Sequence, residues 1–208
     1  MKRFAILASF VLLVAAPLIA QGPKGWKVRI DRSTSASDPD AAGAVKFTAT
    51  SSGFHATTPQ AAVFWNPANT ITGNYALKGT FKLLKPSGHT NYYGLVFGGS
   101  DLEGANQTYL YFLVAQDGSW LVKRRNGEAT EDVIRKTPND VVKKPDTGGQ
   151  STNALEVRVA ADRVEFVVNG TVVGSVPKAQ AAKTDGVYGI RSNHLLDIEV
   201  DGLAATKR

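Results

Sequence analysis

Apolar and polar residues alternate with period two along most of the chain, and no segment keeps a helical period over a dozen residues. From Leu77 to Leu84, Leu77, Gly79, Phe81 and Leu83 alternate with Lys78, Thr80 and Lys82. From Ala154 to Val159, Leu155, Val157 and Val159 alternate with Glu156 and Arg158; Val164, Phe166 and Val168 repeat the pattern. Asn169-Gly170 is hairpin-turn chemistry leading into Thr171 to Val176, and Leu196, Ile198 and Val200 form the buried side of a last run from Leu195. Short strands joined by such turns predict an all-β fold, a two-sheet antiparallel β-sandwich. Only Lys178 to Lys183 reads as a helical turn. Ser33 to Ala44 and Glu128 to Thr152 read as irregular connections, the second long enough to suggest a functional or mobile loop.

The densest aromatic stretch runs from Asn91 to Gly127. If Asp117-Gly118 closes a two-residue hairpin, Ala115 faces Trp120, Leu113 faces Val122 and Tyr111 faces Arg124. Side chains alternate across a strand, so Tyr109, Tyr111, Leu113, Trp120, Val122 and Arg124 then share one face. Leu110, Phe112, Val114 and Leu121 share the other and read as core. In the run from Tyr92 to Gly98, Tyr93, Leu95 and Phe97 point inward, and Tyr92, Gly94, Val96 and Gly98 outward. A sheet face of aromatic rings and guanidinium groups suits a hydroxyl-rich ligand better than a metal or a phosphate. Trp65 reads as core or groove edge.

Lys2 and Arg3, the apolar run Phe4 to Ala16 and the small residues up to Ala20 have the form of a secretory signal, with cleavage expected after Ala20. The apolar run is shorter than the roughly 20 residues a membrane span needs, although an uncleaved anchor is the alternative. We therefore expect a leader over 1–20, a single domain over 21–208, a secreted or periplasmic location and no stable membrane insertion. With no cysteine, the exported chain has to rely on its hydrophobic core; 43% hydrophobic and 20% charged residues are a globular composition. The formal charge of +6 includes Lys2 and Arg3. The basic cluster Lys123 to Arg125, Arg135, Lys136, Lys143 and Lys144 has no nucleic-acid motif beside it, so it reads as solvated charge and no nucleic-acid partner is expected.

The segments WKVRID, GNYALKGTF, YYGLVFGG, YLYFLVAQDGSW, NALEVRVAADRVEFVVNGTVVGSV and DGVYGIRSNHLLDIEVDGL resemble exported bacterial domains of the concanavalin A-like lectin/glucanase superfamily. Within it they look most like the 3-keto-disaccharide hydrolase-like, laminin-G-like jelly rolls. The resemblance spans roughly Trp26 to Leu203 and is most specific from Asn153 to Val176. It implies a bent jelly roll with ligands on a concave sheet. Combined with the alternation, that places a candidate carbohydrate groove at Tyr92, Tyr111, Trp120, Arg124, Arg191 and His194, with Gly189 beside Arg191 and Asn193 at the rim.

Catalysis is harder to locate. Asp197, Glu199 and Asp201 alternate on one strand, and neighbours of that kind lie roughly 6 to 7 Å apart, within the range of a glycosidase carboxylate pair. The order departs from the laminarinase-type strand motif, and a solvated outer face is the preferred reading. No catalytic residue is assigned. His55, His89 and His194 have no ligand-spaced neighbours, so no metal is expected from them. Asp101, Glu103 and Asn106 offer calcium-type oxygens without the acidic density of a calcium loop; a solvated turn is the preferred reading and calcium the alternative. The sequence thus favours a carbohydrate-binding jelly roll. A glycoside or 3-keto-disaccharide hydrolase and a cell-envelope structural or interaction module remain the alternatives.

Overall fold

The computed structural model describes residues 22–33 and 35–208; the expected leader lies outside the described residues. The strands are β1 (Lys27–Asp31), β2 (Lys46–Ala49), β3 (Gly53–Thr58), β4 (Ala61–Ile71), β5 (Tyr75–Lys85), β6 (Tyr92–Ser100) and β7 (Thr108–Ala115). They continue with β8 (Ser119–Asn126), β9 (Ala129–Pro138), β10 (Ser151–Val159), β11 (Arg163–Val168), β12 (Thr171–Pro177), β13 (Gly186–Ser192) and β14 (Leu196–Lys207). A single turn of helix, α1 (Lys178–Ala181), joins β12 to β13, where the sequence predicts it. Two antiparallel sheets of seven strands result: a front sheet in the order β1-β4-β13-β6-β7-β8-β9 and a back sheet in the order β12-β11-β10-β5-β14-β3-β2. This is the predicted sandwich. No described helix is long and apolar enough to cross a membrane.

The core lies between the sheets. Phe64, Tyr93, Leu95, Phe97 and Phe112 from the front sheet meet Phe47, Leu77, Phe81, Phe166 and Val200 from the back. Each such side chain contributes about 1.5–3 kcal/mol by leaving water, which is how a cysteine-free chain holds its sheets together. The Asn169-Gly170 turn forms as predicted, both residues taking positive φ (50° and 85°) as a primed hairpin requires.

Two expectations are corrected. Glu128 to Thr152 is not one loop: β9 occupies most of its first half as the edge strand of the front sheet, paired along β8. Its charged side chains face solvent on an edge, which hid the alternation. The Asp117-Gly118 hairpin is also longer than predicted. Strands β7 and β8 leave three residues, Gln116 to Gly118, in the loop, with Gly118 at φ 85° and its N–H donating to the Ala115 carbonyl. That is the three-residue hairpin loop with glycine in the left-handed position. The pairing therefore shifts by one: Val114 faces Trp120, Phe112 faces Val122 and Tyr111 faces Lys123.

Asp117 holds this loop. Its Oδ1 accepts from the Ser119 backbone and hydroxyl, and its Oδ2 pairs with Lys136 Nζ at 2.6 Å. Burial works against the charged carboxylate, but Lys136 and Ser119 outweigh it and hold the group down at about 2. The folded-state value is lowered, so the stability it adds is present above the ordinary aspartate range near ~3.9 and is lost as pH falls toward 2. Because the pair is partly solvated, Asp117→Asn should cost about 1 kcal/mol or less at pH 7. Urea midpoints should show that deficit shrinking between pH 4 and 2.5; a deficit independent of pH would assign the loss to the turn geometry instead.

Candidate ligand-binding face

The outer side of the front sheet carries its own apolar layer, whose side chains are buried, none more than 6% exposed. Val63 and Trp65 on β4, Val96 on β6, Tyr109, Tyr111 and Leu113 on β7 and Leu121 on β8 form a second cluster separate from the core, with Leu102 from the β6–β7 loop at its edge. Register explains why they meet. Trp65 pairs with Gly189, Gly189 with Val96, and Val96 with Tyr111, so one row crosses four strands on the same side. The next row runs Val63, Arg191, Gly94, Leu113 and Leu121. Gly94 and Gly189 stand at two crossing points and are buried; a Cβ there would meet the Phe112 and Phe64 carbonyl oxygens of the adjoining strands.

Arg191 is the charged centre of this face. Its Nη1 donates to Asp31 on β1 and to Tyr109 Oη (2.9 Å), and its guanidinium lies 5.3 Å from the centre of the Tyr111 ring. Tyr109 Oη donates in turn to Asp31. Burial raises the Tyr109 phenol to about 12 and also raises that of Tyr111, so both rings are neutral. For Arg191, burial opposes the charge, but Tyr109, Asp31 and Tyr111 outweigh it and strengthen its hold on the proton. The arrangement presents fixed donors and acceptors beside an aromatic ring. Arg29 reaches Asp31 at 3.7 Å from the other side.

A cavity of about 290 Å³ is lined by Asp31, Arg125 and Arg191 together with Asp38, Asp40 and His194. A larger cleft of about 510 Å³ lies elsewhere, lined largely by small residues such as Ala41, Gly43 and Gly88 with Lys46, Lys85 and Asp197. It lacks a converging polar centre.

Of the six residues expected in the groove, Tyr92, Tyr111 and Arg191 lie on this outer face, and His194 stands at its rim. Trp120 and Arg124 do not. The shifted register turns Trp120 into the core, 2% exposed, against Phe112 and Phe166 at ring distances of 5.9 and 6.2 Å. Arg124 points to the same inner side, donating to the Gln180 carbonyl on α1 (2.6 Å) and pairing with Glu131. Leu121, expected in the core, is on the outer face for the same reason. Sequence reading missed Asp31, Arg125, Asp38 and Asp40, whose loops and strand are distant along the chain.

The carboxylate run sits far from this face. Strand β14 is interior to the back sheet, between β5 and β3, not at an edge. Asp197 there meets His55 and Thr57, and Asp201 accepts from Ser52. In the Asp101 loop, Arg29 takes the Leu102 and Gly104 carbonyls, Glu103 pairs with Lys27, and Asp101 accepts from Asn106 N–H. Lys27 and Arg29 thus occupy Glu103 and two carbonyls of the loop, while among the described residues the Asp101 carboxylate meets only a backbone N–H.

The absence of ligand spacing among the histidines proves a poor guide. His89 and His194, 105 residues apart, place their Nε2 atoms 3.2 Å from each other, and Asp38 joins them.

No family model matches the sequence, and no curated protein matches it. Solved structures do match in fold. A carbohydrate-binding module, CBM66 from Bacillus subtilis, superposes with a TM-score of 0.58 at 12% identity, covering 88% of this chain and 96% of that one. A Bacillus subtilis protein of unknown function with a galectin-like fold gives 0.57 at 13% identity, with 89% and 91% covered. The exoplasmic/lumenal domain of VIP36, in its Ca2+/Man3GlcNAc-bound form, gives 0.54 at 12% identity, with 88% and 85% covered. At these identities the likeness is one of architecture: the chain has the jelly-roll sandwich fold seen in lectins and carbohydrate-binding modules.

Proposed function

We propose that this is an exported carbohydrate-binding domain that takes a saccharide on the outer face of its front sheet. The observation that carries the reading is the Arg191 centre, where a guanidinium, a carboxylate, a phenol and an aromatic ring converge on an apolar sheet face beside a cavity. Sugars offer that combination of partners. Their hydroxyls exchange charge-assisted hydrogen bonds with Arg191 and Asp31 where these line the cavity, and their C–H faces pack on the partly exposed Tyr92. The names of two structural neighbours, a carbohydrate-binding module and a Man3GlcNAc-bound domain, support the same class. Export rests on the basic, apolar and small-residue succession of 1–20.

A glycan array followed by titration calorimetry on the best hit tests the reading. Tyr92→Ala should weaken binding by about 1–3 kcal/mol, the scale of losing an aromatic anchor. Failure of every glycan to bind, or equal binding by the folded Tyr92→Ala variant, would sink the proposal.

A second reading, hydrolysis of a glycoside or 3-keto-glycoside, draws on one observation: Asp31, Asp38 and Asp40 line the same cavity as Arg191 and His194. Carboxylates at that position are the groups acid/base hydrolysis needs. Incubating the bound glycan and its 3-keto form with the protein, and looking for released products, separates the two readings.

A further inference from the structure

We propose that Asp38, His89 and His194 form a binding site for a divalent transition metal, zinc by preference, at the rim of the cavity. Three loops supply the ligands: Asp38 from the β1–β2 connection, His89 from β5–β6 and His194 from β13–β14. The ligand atoms stand close together. His89 Nε2 is 3.2 Å from His194 Nε2, and Asp38 Oδ1 is 2.8 Å from the first and 3.1 Å from the second. A tetrahedral zinc with bonds of about 2.0–2.1 Å has ligand-to-ligand edges of about 3.3 Å, so an ion about 1 Å above this triangle contacts all three atoms.

Proton placement favours the ion over a hydrogen-bonded cluster. An imidazole Nε2 carries either one proton or one lone pair. For both rings to donate to Asp38, both must be protonated at Nε2, and the two N–H groups then oppose each other at 3.2 Å. The Asn91 amide nitrogen, 3.1 Å from His89 Nε2, adds a further donor aimed at the same atom. No single protonation pattern satisfies every contact. One Lewis acid accepting both nitrogen lone pairs and the carboxylate oxygen removes the conflict between the rings and Asp38.

An independent feature points the same way. His194 Nδ1 lies 3.0 Å from Asp40 Oδ1, and Asp40 Oδ2 accepts from the Ser33 backbone N–H at 2.9 Å. That contact places the His194 proton on Nδ1 and leaves the Nε2 lone pair directed at Asp38 and His89. A carboxylate holding the far nitrogen of a ligating histidine is the usual second layer of a zinc site. His194 itself is nearly buried, with its side chain 6% exposed, and so is held in that orientation.

Two nitrogens and one oxygen suit zinc and its neighbours, whereas calcium and magnesium take oxygen ligands. Three protein ligands also leave a fourth position. Asp38 and His89 are half-exposed, and the cavity beside them contains Arg191 and Asn193, so that position is open to water or to an oxygen of a bound molecule. The site does not depend on the saccharide reading.

The test uses protein without a polyhistidine tag, stripped with chelator and titrated with Zn2+ alone. The expected result is one Zn2+ per chain and a higher melting temperature, since the ion ties three loops together in the folded state only. His89→Ala and His194→Ala should each abolish stoichiometric binding, while His55→Ala, on the back sheet, leaves it intact. Asp40→Asn should weaken affinity about 10- to 100-fold. Apo melting curves and circular dichroism identify folded variants, with His89→Gln as the substitute should His89→Ala misfold. Absence of saturable Zn2+ binding, or binding that survives either histidine substitution in a folded protein, overturns the site; unchanged affinity in Asp40→Asn overturns the orienting role.

Discussion

Trp120→Ala should destabilise the protein by about 3–5 kcal/mol, the cost of emptying a large aromatic site in a packed core. The indole lies between the sheets, edge-on to Phe112 and beside Phe166, and the back sheet is shaped to receive it. At Gly174 on β12 a Cβ would stand 2.5 Å from the tip of the Trp120 ring. Gly174→Ala should therefore be strongly destabilising alone and much better tolerated in the Trp120→Ala background, a coupling that a double-mutant cycle reads directly. Phe166→Ala belongs to the same packing unit and should cost about 3–5 kcal/mol by itself. Trp120→Phe should cost less than its lost area suggests, because the indole N–H is buried without an acceptor. Denaturant midpoints decide the matter: a Trp120→Ala variant of wild-type stability would mean that the ring is not between the sheets.

Asp31→Ala should cost about 3–5 kcal/mol, because it leaves the Arg191 guanidinium nearly buried without its carboxylate. The side chains of Arg191 and Asp31 are 11% and 10% exposed, so water replaces neither partner well. The two sides of the pair are unequal. Arg191→Met leaves Asp31 near Arg29, 3.7 Å away, and should be the milder change. Replacing both with apolar residues, Asp31→Leu with Arg191→Met, should recover much of the Asp31→Ala loss. Equal losses for the two single variants would argue that Arg29 does not compensate. Wild-type stability for Asp31→Ala would show the guanidinium to be solvated after all.

The candidate face was partly legible in the chain. Tyr93, Leu95 and Phe97 point inward and Tyr92 and Val96 outward, as alternation predicts, because a strand's side-chain period is geometric and needs no knowledge of its neighbours. Gly189 and Arg191 follow the same rule on β13. Trp120, Arg124 and Leu121 were assigned to the wrong sides by a single residue of loop length. Asp-Gly is compatible with two-residue and three-residue turns, and the choice here is secured by Asp117 binding Ser119 and Lys136. One step of register inverts every side chain on the returning strand. Likewise, β9 hid in a charged stretch because an edge strand with solvated sides need not alternate.

The sequence by itself determined the architecture: period-two runs, Asn169-Gly170 and Asp117-Gly118 turns and a cysteine-free apolar core are local properties, each readable in a window of a few residues. Only the tertiary structure decided which polar groups meet. Asp31 reaches Arg191 across 160 residues, and Asp38, His89 and His194 converge from three separate loops. Those contacts depend on which strands lie side by side and on where the loops between them emerge. Neither property leaves a period, a spacing or a motif in the chain, because the energy that orders the strands comes from apolar packing between the sheets and is indifferent to the polar residues carried at their ends.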